Sequence, residues 1–274
     1  MKLALVSDIH ANLDALQPTL ADIARRAVDR VVCLGDIVGY NTKPGECIAL
    51  LRRSDALCVA GNHDLAVSGR IRTENFSKLA ARGVAWTQRR LTRSELEFLG
   101  GLPLKATIAG KLIAVHGGLY PEADCAIVRL DSDVRRMQSF KALIADPSGA
   151  RVAAFGHTHH CGIYEYRHGC VVARTEQKVQ LRDDAYYLIN PGTVGQPRSG
   201  DCRASYMVID LDGRSVSVHR VAYDAAAVSA ATRRAGLAPA FAFVPPPLRG
   251  AIGKGLRALR LGGPVRRIAA SLGL

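Results

Sequence analysis

Five short stretches hold the side chains of this sequence that can do chemistry together: Asp8-Ile9-His10, Gly35-Asp36, Gly61-Asn62-His63-Asp64, His116-Gly117-Gly118 and Gly156-His157-Thr158-His159. Each offers carboxylate, amide or imidazole groups, and each follows an apolar run with the composition of a β-strand, at 3–7, 31–34, 56–60, 112–115 and 152–155. In open α/β sheets ligands bind in the crevice beyond the carboxyl ends of the strands, so segments far apart in sequence are expected to meet at one place. Singly, an Asp-x-His or a Gly-Asp pair is ordinary turn chemistry. The ordered series, with an apolar run before each member, is what points to a common site.

Hard oxygen and imidazole ligands in this number suit two divalent ions about 3.5–4 Å apart, bridged by a carboxylate with two oxygens to share. Asp36 is the candidate bridge. A first ion would take Asp8, His10, Asp36 and His159, and a second Asp36, Asn62, His116 and His157. Mixed imidazole and carboxylate ligation favours transition metals over magnesium or calcium; manganese is taken first, with iron, zinc or nickel as alternatives. Water held between such ions has its pKa lowered toward about 7, so a bridging hydroxide becomes available for in-line attack on phosphorus. The departing alkoxide needs a proton, and His63, next to Asn62, is placed to give it as a general acid. Asp64 is expected to hold that imidazole in the right tautomer. His160, His168 and His219 have no such context and are read as surface or second-layer residues.

With these residues in order, the chain resembles the calcineurin-like metallophosphoesterases, whose motif runs Asp-x-His, Gly-Asp, Gly-Asn-His-Asp/Glu, His, Gly-His-x-His. The resemblance extends through roughly residues 1–235 and includes Asn190-Pro191-Gly192-Thr193-Val194-Gly195-Gln196-Pro197-Arg198. These flanks are similar to a compact prokaryotic branch related to diadenosine tetraphosphatases. The resemblance implies a four-layer αββα sandwich, a dinuclear centre and phosphodiesterase or phosphatase activity. One departure bears on substrate: the protein phosphatase branch follows its Gly-Asp with Asp-Arg-Gly, whereas here Gly35-Asp36 continues as Ile37-Val38-Gly39-Tyr40-Asn41. A monoester dianion is normally held by such an arginine fork, so diesters are the favoured substrates, small nucleotides among them. Arg198 is either a replacement for that arginine or a surface residue tying down its loop. Asn12 is either a phosphate donor or the N-cap of the first helix, and the cap is the favoured reading. The alternatives are a phosphomonoesterase, acting on phosphoproteins or dinucleoside polyphosphates, and a non-enzymatic scaffold for anionic partners.

The 274 residues, 48% hydrophobic, suffice for one sizeable domain and an extension. No apolar stretch approaches the roughly 18–20 residues needed to span a bilayer. The apolar start, 2–6, runs straight into Asp8, so removing it as a signal peptide would destroy the site, and a cytoplasmic location is expected. Seven cysteines without a Cys-x-x-Cys pair suit reduced thiols better than a disulfide framework. Cys33 is expected in the core and Cys161 as a small buried hydrophobe near the site.

The spacing of 28 residues from Asp8 to Asp36 and 26 from Asp36 to Asn62 matches βαβ units, with helices over 12–27, where Pro18 should kink the helix or delay its start, and 43–53. Further helices are predicted over 75–90, over 94–100 behind a capping box Ser94-x-x-Glu97, over 130–144 and over 223–235. The insertion 75–100, with Lys78, Arg82, Arg89 and Arg90, either walls the cleft or presents a solvated basic face. Strands are predicted at 162–166, 170–173, 185–190, 204–211 and 215–221. Residues 225–274 then hold eight of the thirteen excess positive charges and no acid. The catalytic domain is therefore placed at 1–236, followed by a stiff Pro245-Pro246-Pro247 spacer and a basic tail, 237–274. In that tail Leu248, Ile252, Leu256 and Leu259 recur at nearly helical spacing, and contact with an anionic membrane or nucleic acid is one reading of it.

Overall fold

Along Lys2–Val6 successive side chains leave the strand on opposite faces, and the two faces find different neighbours. Leu3 and Leu5 enter a core shared with Leu112, Ala114, Val152 and Ile189, while Ala4 and Val6 pack against Leu16, Ile23 and Ile48. A strand buried on both faces in this way belongs to a layered structure. A computed structural model describes residues 1–237 of the chain.

In chain order the elements are β1 (Lys2–Val6), α1 (Leu13–Ala24), β2 (Arg30–Cys33), α2 (Pro44–Arg53), β3 (Leu57–Cys58), α3 (Asn62–Val67), α4 (Lys78–Gln88), α5 (Arg93–Gly100), β4 (Lys105–Ile108) and β5 (Leu112–Val115). They continue as α6 (Asp133–Ile144), β6 (Val152–Ala154), β7 (Gly162–Arg167), β8 (Cys170–Arg174), β9 (Lys178–Gln180), β10 (Tyr186–Asn190), β11 (Ala204–Asp210), β12 (Ser215–Val221) and α7 (Ala225–Arg234). One six-stranded sheet runs β3-β2-β1-β11-β12-β9 and the other β4-β5-β6-β10-β7-β8. The strands β1, β2 and β3 are mutually parallel, as are β5, β6 and β10. Their carboxyl ends therefore deliver loops from both sheets to one edge of the sandwich. Phe140 and Leu143 of α6 close the outer face of the second sheet against Ile113, Val115 and Phe155, completing the expected four-layer αββα order.

Most expected elements form, with shifts at their ends that side-chain chemistry explains. The helix placed over 94–100 starts at Arg93 because Thr92, not Ser94, caps it: its hydroxyl accepts from Glu95 N at 3.3 Å and its own N–H donates to the Glu95 carboxylate at 2.7 Å. Ser77 and Ser132 cap α4 and α6 through their hydroxyls alone, accepting from Ala80 N and Arg135 N, later than the sequence periodicity suggests. Pro18 lies inside α1, whose start at Leu13 is undelayed. Cys33 is buried, and Cys161 is partly buried against the inter-sheet core. Leu237 is fully buried, its N–H donating to Thr232 O, so packing reaches the last described residue. The proline spacer and the Leu248 to Leu259 repeat lie outside the described residues. Among the described residues no helix is long and apolar enough to cross a membrane.

Candidate metal centre

The chain leaves β1, β2 and β6 through left-handed backbone at residues that are not glycine: Asp8 (φ 52°), His10 (φ 50°), Asp36 (φ 54°), His157 (φ 63°) and His159 (φ 63°). Each such residue costs of order 1–3 kcal/mol and persists only where its surroundings hold it. Here the loops hold one another. Asp8 N donates to Gly35 O at 3.1 Å, His10 N to Asp36 O at 2.9 Å, and Gly195 N to Asp8 O at 3.0 Å. Gly35 (φ 90°) lets two of these turns meet backbone to backbone, since a Cβ there would lie 2.5 Å from Gly61 N.

The strained turns converge their side chains. Donor atoms of Asp8, His10 and His159 lie within 4.8 Å of one another, and so do those of Asp36, His116 and His157; His10 and Asp36 also group with His63. Asp36 sits between the two clusters: Oδ1 accepts from His63 N at 2.9 Å, while Oδ2 lies 3.5 Å from His10 Nε2 and 3.3 Å from His116 Nε2. Asp8 Oδ1 is 3.2 Å from His159 Nε2. Asn62, at the start of α3, has a buried Oδ1 with no hydrogen bond, and Asp8 Oδ1 is equally without a donor.

Three of the imidazoles are oriented from behind. Nδ1 of His10 meets Val38 O at 3.1 Å, that of His116 meets Leu34 O at 2.7 Å, and that of His159 meets Gln196 O at 2.9 Å. A carbonyl only accepts, so Nδ1 carries the hydrogen and Nε2 turns inward, the arrangement that metal-binding histidines use. Burial holds His10 and His159 neutral, well below the usual imidazole range, and brings His157 to about 3. Burial also raises Asp8 to about 7. At His116 burial acts downward, but Asp36 outweighs it and lifts the ring to about 9, with Asp36 held well below its ordinary value in return. The neutral imidazoles of His10, His157 and His159, the buried carboxylates and the acceptors lacking donors fit divalent cations.

His63 is buried, with Nδ1 free of any hydrogen bond. Its ring packs on Tyr40 and Phe76, at 4.7 and 5.2 Å between centroids, Phe76 coming from the loop ahead of α4. The helical insertion thus reaches the site through one aromatic residue, while Lys78, Arg82, Arg89 and Arg90 are exposed, Arg90 lying over Trp86. Asp64 corrects an expectation: it does not hold the His63 imidazole. Its carboxylate accepts from Ile37 N at 2.9 Å, Val38 N at 3.2 Å and Gly61 N at 3.0 Å, bracing the two turns that carry Asp36 and Asn62. Asn12 is the N-cap of α1, accepting from Ala15 N, and its amide donates to Gly195 O at 2.9 Å. Both its polar atoms are therefore spent within the protein. Arg198 is exposed at the rim, its charge disfavouring protonation of His10, His63 and His159.

Several residues that brace the site carry no recognisable chemical signature in the sequence. Asn41 donates to His10 O at 2.8 Å, Asn190 to Gly156 O at 2.8 Å and Thr193 to Asp8 O at 2.8 Å. For Asn190 and Thr193 the signal is their Asn-Pro-Gly-Thr run, dense in turn formers. His160 and His168 are exposed, and His219 stacks on Tyr206, away from the centre.

Two stacked sheets flanked by helices, with imidazoles and carboxylates meeting at the strand ends of both, define a metallophosphoesterase fold. Residues 1–214 match the calcineurin-like phosphoesterase superfamily domain, and the chain belongs to that family. It is 35% identical over 224 residues to uncharacterized protein MJ0912 of Methanocaldococcus jannaschii, covering 81% of this chain and 88% of that one. The crystal structure of a metallophosphoesterase from Sphaerobacter thermophilus superposes with a TM-score of 0.70 at 34% identity, covering 86% of this chain and 94% of that one. Hypothetical protein PH1004 from Pyrococcus horikoshii shares the fold, with a TM-score of 0.68 at 15% identity and the same two coverages.

Proposed function

We propose that the chain is a phosphodiesterase working with two divalent transition-metal ions, manganese first among them, on small and possibly nucleotide-derived substrates in the cytoplasm. His10, Asp8 and His159 would hold one ion, His116, His157 and Asn62 the other, and Asp36 both. When bound, such ions supply hydroxide at neutral pH and draw charge from the phosphoryl oxygens. The chain does the rest. Asp36 keeps the two ligand clusters in register through its contacts with His63 N, His10 and His116. His63 donates a proton to the departing alkoxide oxygen; burial lowers its pKa, so its protonated form is a stronger acid than a free imidazolium. Asp64 positions the turns rather than the proton donor.

Support comes above all from the facing of His10 Nε2 and His159 Nε2 at 3.2 Å beside the donorless Asp8 Oδ1, an arrangement that asks for a cation. The complete set of acceptors weighs against a scaffold that has lost its chemistry. Diesters are preferred because no arginine follows Asp36 to hold a dianion. Paired assays of the manganese-loaded protein on bis(p-nitrophenyl) phosphate and p-nitrophenyl phosphate test this: a higher kcat/KM for the diester is expected, and the reverse order would make it a phosphomonoesterase. The basic, acid-free sequence beyond Leu237 is taken to attract anionic partners.

A further inference from the structure

The imidazole of His63 is not tied from behind as those of His10, His116 and His159 are. Its Nδ1 has no hydrogen-bond partner, and the neighbouring Asp64 is spent on Ile37 N, Val38 N and Gly61 N. The last torsion of a histidine is broad and settles only where neighbours confine it. Here aromatic rings confine it. Tyr40 lies tilted against His63 at 4.7 Å between centroids and Phe76 at 5.2 Å, within the range of about 4.5–7 Å over which aromatic pairs attract. Gly39 (φ 90°) runs so close to Nδ1 that a Cβ would strike the ring, so the backbone bars rotation on that side. Tyr40 also meets His10 edge-on at 4.7 Å, which ties the donor's place beside the centre to the same ring. The helical insertion seats both aromatic residues. Gly83 of α4 packs on the turn that carries Tyr40, where a Cβ would fall 3.0 Å from Tyr40 N, and Phe76 immediately precedes Ser77, the cap of α4. At the other end of α4, Gln88 Nε2 donates to Ala66 O and Val67 O, both at 3.2 Å, on the helix α3 that begins with Asn62 and His63. The insertion thus grips His63 twice, at its ring and at its helix.

We propose that Tyr40 and Phe76 are the positioning residues of His63, fixing its imidazole for proton transfer by ring packing where a carboxylate hydrogen bond is missing, with the insertion over 75–100 as their support. The role in proton transfer rests on the reading of His63 as general acid and deepens it, whereas the holding of the ring stands on the contacts alone. Packing suits such a donor. A carboxylate on Nδ1 would favour the charged imidazolium and make it a weaker acid, while flanking rings orient it without that penalty. They also hold it in either protonation state, as a group that loses and regains its proton in each turnover requires.

The test uses the full-length, zinc-loaded protein with two readouts: kcat on diphenyl phosphate against bis(p-nitrophenyl) phosphate, and the NMR shifts of the His63 ring protons, assigned by their loss in His63→Ala. Among the described residues the Phe76 ring stacks on His63 alone, so Phe76→Leu leaves the proposed ligands untouched. It should lower kcat on diphenyl phosphate about 2- to 10-fold, the worth of one aromatic pair. The loss should be smaller on the nitrophenyl ester, whose leaving group needs little help from a proton, with KM and metal content unchanged. Tyr40→Leu should act in the same direction, and Tyr40→Phe, which keeps the ring, should recover most of the loss. Either leucine variant should add little in the His63→Ala background, and each should move the His63 ring protons toward the positions of an unstacked imidazole. Equal losses on the two esters, full additivity with His63→Ala, or ring-proton shifts that stay where they are would overturn the proposal. Should the wild type hydrolyse neither ester, the proposed reaction fails by itself, and the ring-proton shifts alone decide whether Tyr40 and Phe76 hold the imidazole.

Discussion

His10 Nε2 and His159 Nε2 face each other at 3.2 Å, and each ring has its Nδ1 committed to a backbone carbonyl, Val38 O for His10 and Gln196 O for His159. Both Nε2 atoms therefore present lone pairs, which repel at that separation unless a cation stands with them. Metal loading should accordingly stabilise the fold as well as enable turnover, by about 2.7 kcal/mol at a free metal concentration 100 times Kd. Thermal melts and elemental analysis before and after chelation should show Tm and activity falling together and returning with manganese. Asp36→Asn should reduce metal content at both positions, Asn62→Ala mainly at one. Activity and Tm that survive exhaustive chelation would refute the metal reading.

His63→Ala should keep its metal and lose activity, because His63 bonds the Asp36 carboxylate through its backbone N–H, which alanine retains. General acids contribute about 10²- to 10⁴-fold, and the loss should be largest for esters with poor leaving groups. A series of aryl esters of rising leaving-group pKa checks this. An equal loss across the series would mean that His63 does not protonate the departing oxygen.

Acid sensitivity should arise in part far from the centre, at Asp146. Burial alone would raise this carboxyl, but hydrogen bonds from Lys105 Nζ at 2.7 Å and from Ser148 N and Oγ outweigh it and bring it to about 2. A carboxyl whose folded pKa is depressed below 3.8 contributes stability that is complete above that value and disappears as pH falls through about 2. Asp146→Asn should therefore lower the urea midpoint at about pH 6 and make less difference near pH 2. Equal deficits at both pH values would place the effect in packing rather than in ionisation.

A chain cut after Ala240 should retain turnover on model diesters, since the proposed metal ligands and His63 all lie at or before His159. It should lose salt-sensitive binding to anionic vesicles or nucleic acid, an attraction that weakens as the Debye length shrinks from about 10 Å at 0.1 M to about 3 Å at 1 M. Co-sedimentation with vesicles and gel-shift titration at two salt concentrations measure it. Loss of hydrolysis on truncation, with fold and metal intact, would bring the tail into the site.

The strand-and-helix units and the candidate ligands were legible in the sequence because their signals are local, an apolar run, a turn, then a ligand, repeated at βαβ spacing; the four-layer order was implied by the family resemblance that these motifs carry. The edge strands Lys105–Ile108 and Lys178–Gln180 were not, being too short to show period-two alternation, and they exist only through pairing with β5 and β12. For Asp64 local reasoning pointed to its neighbour His63, yet the fold turns the carboxylate onto the N–H groups of Ile37 and Val38. Asn12 carried two readings: the bond from Ala15 N makes it the helix cap, and Gly195, remote in sequence, takes up its amide. Residue types and spacing determined which groups are available; which group each one faces was decided by the stacking of the two sheets, which brings loops remote in sequence within hydrogen-bond reach.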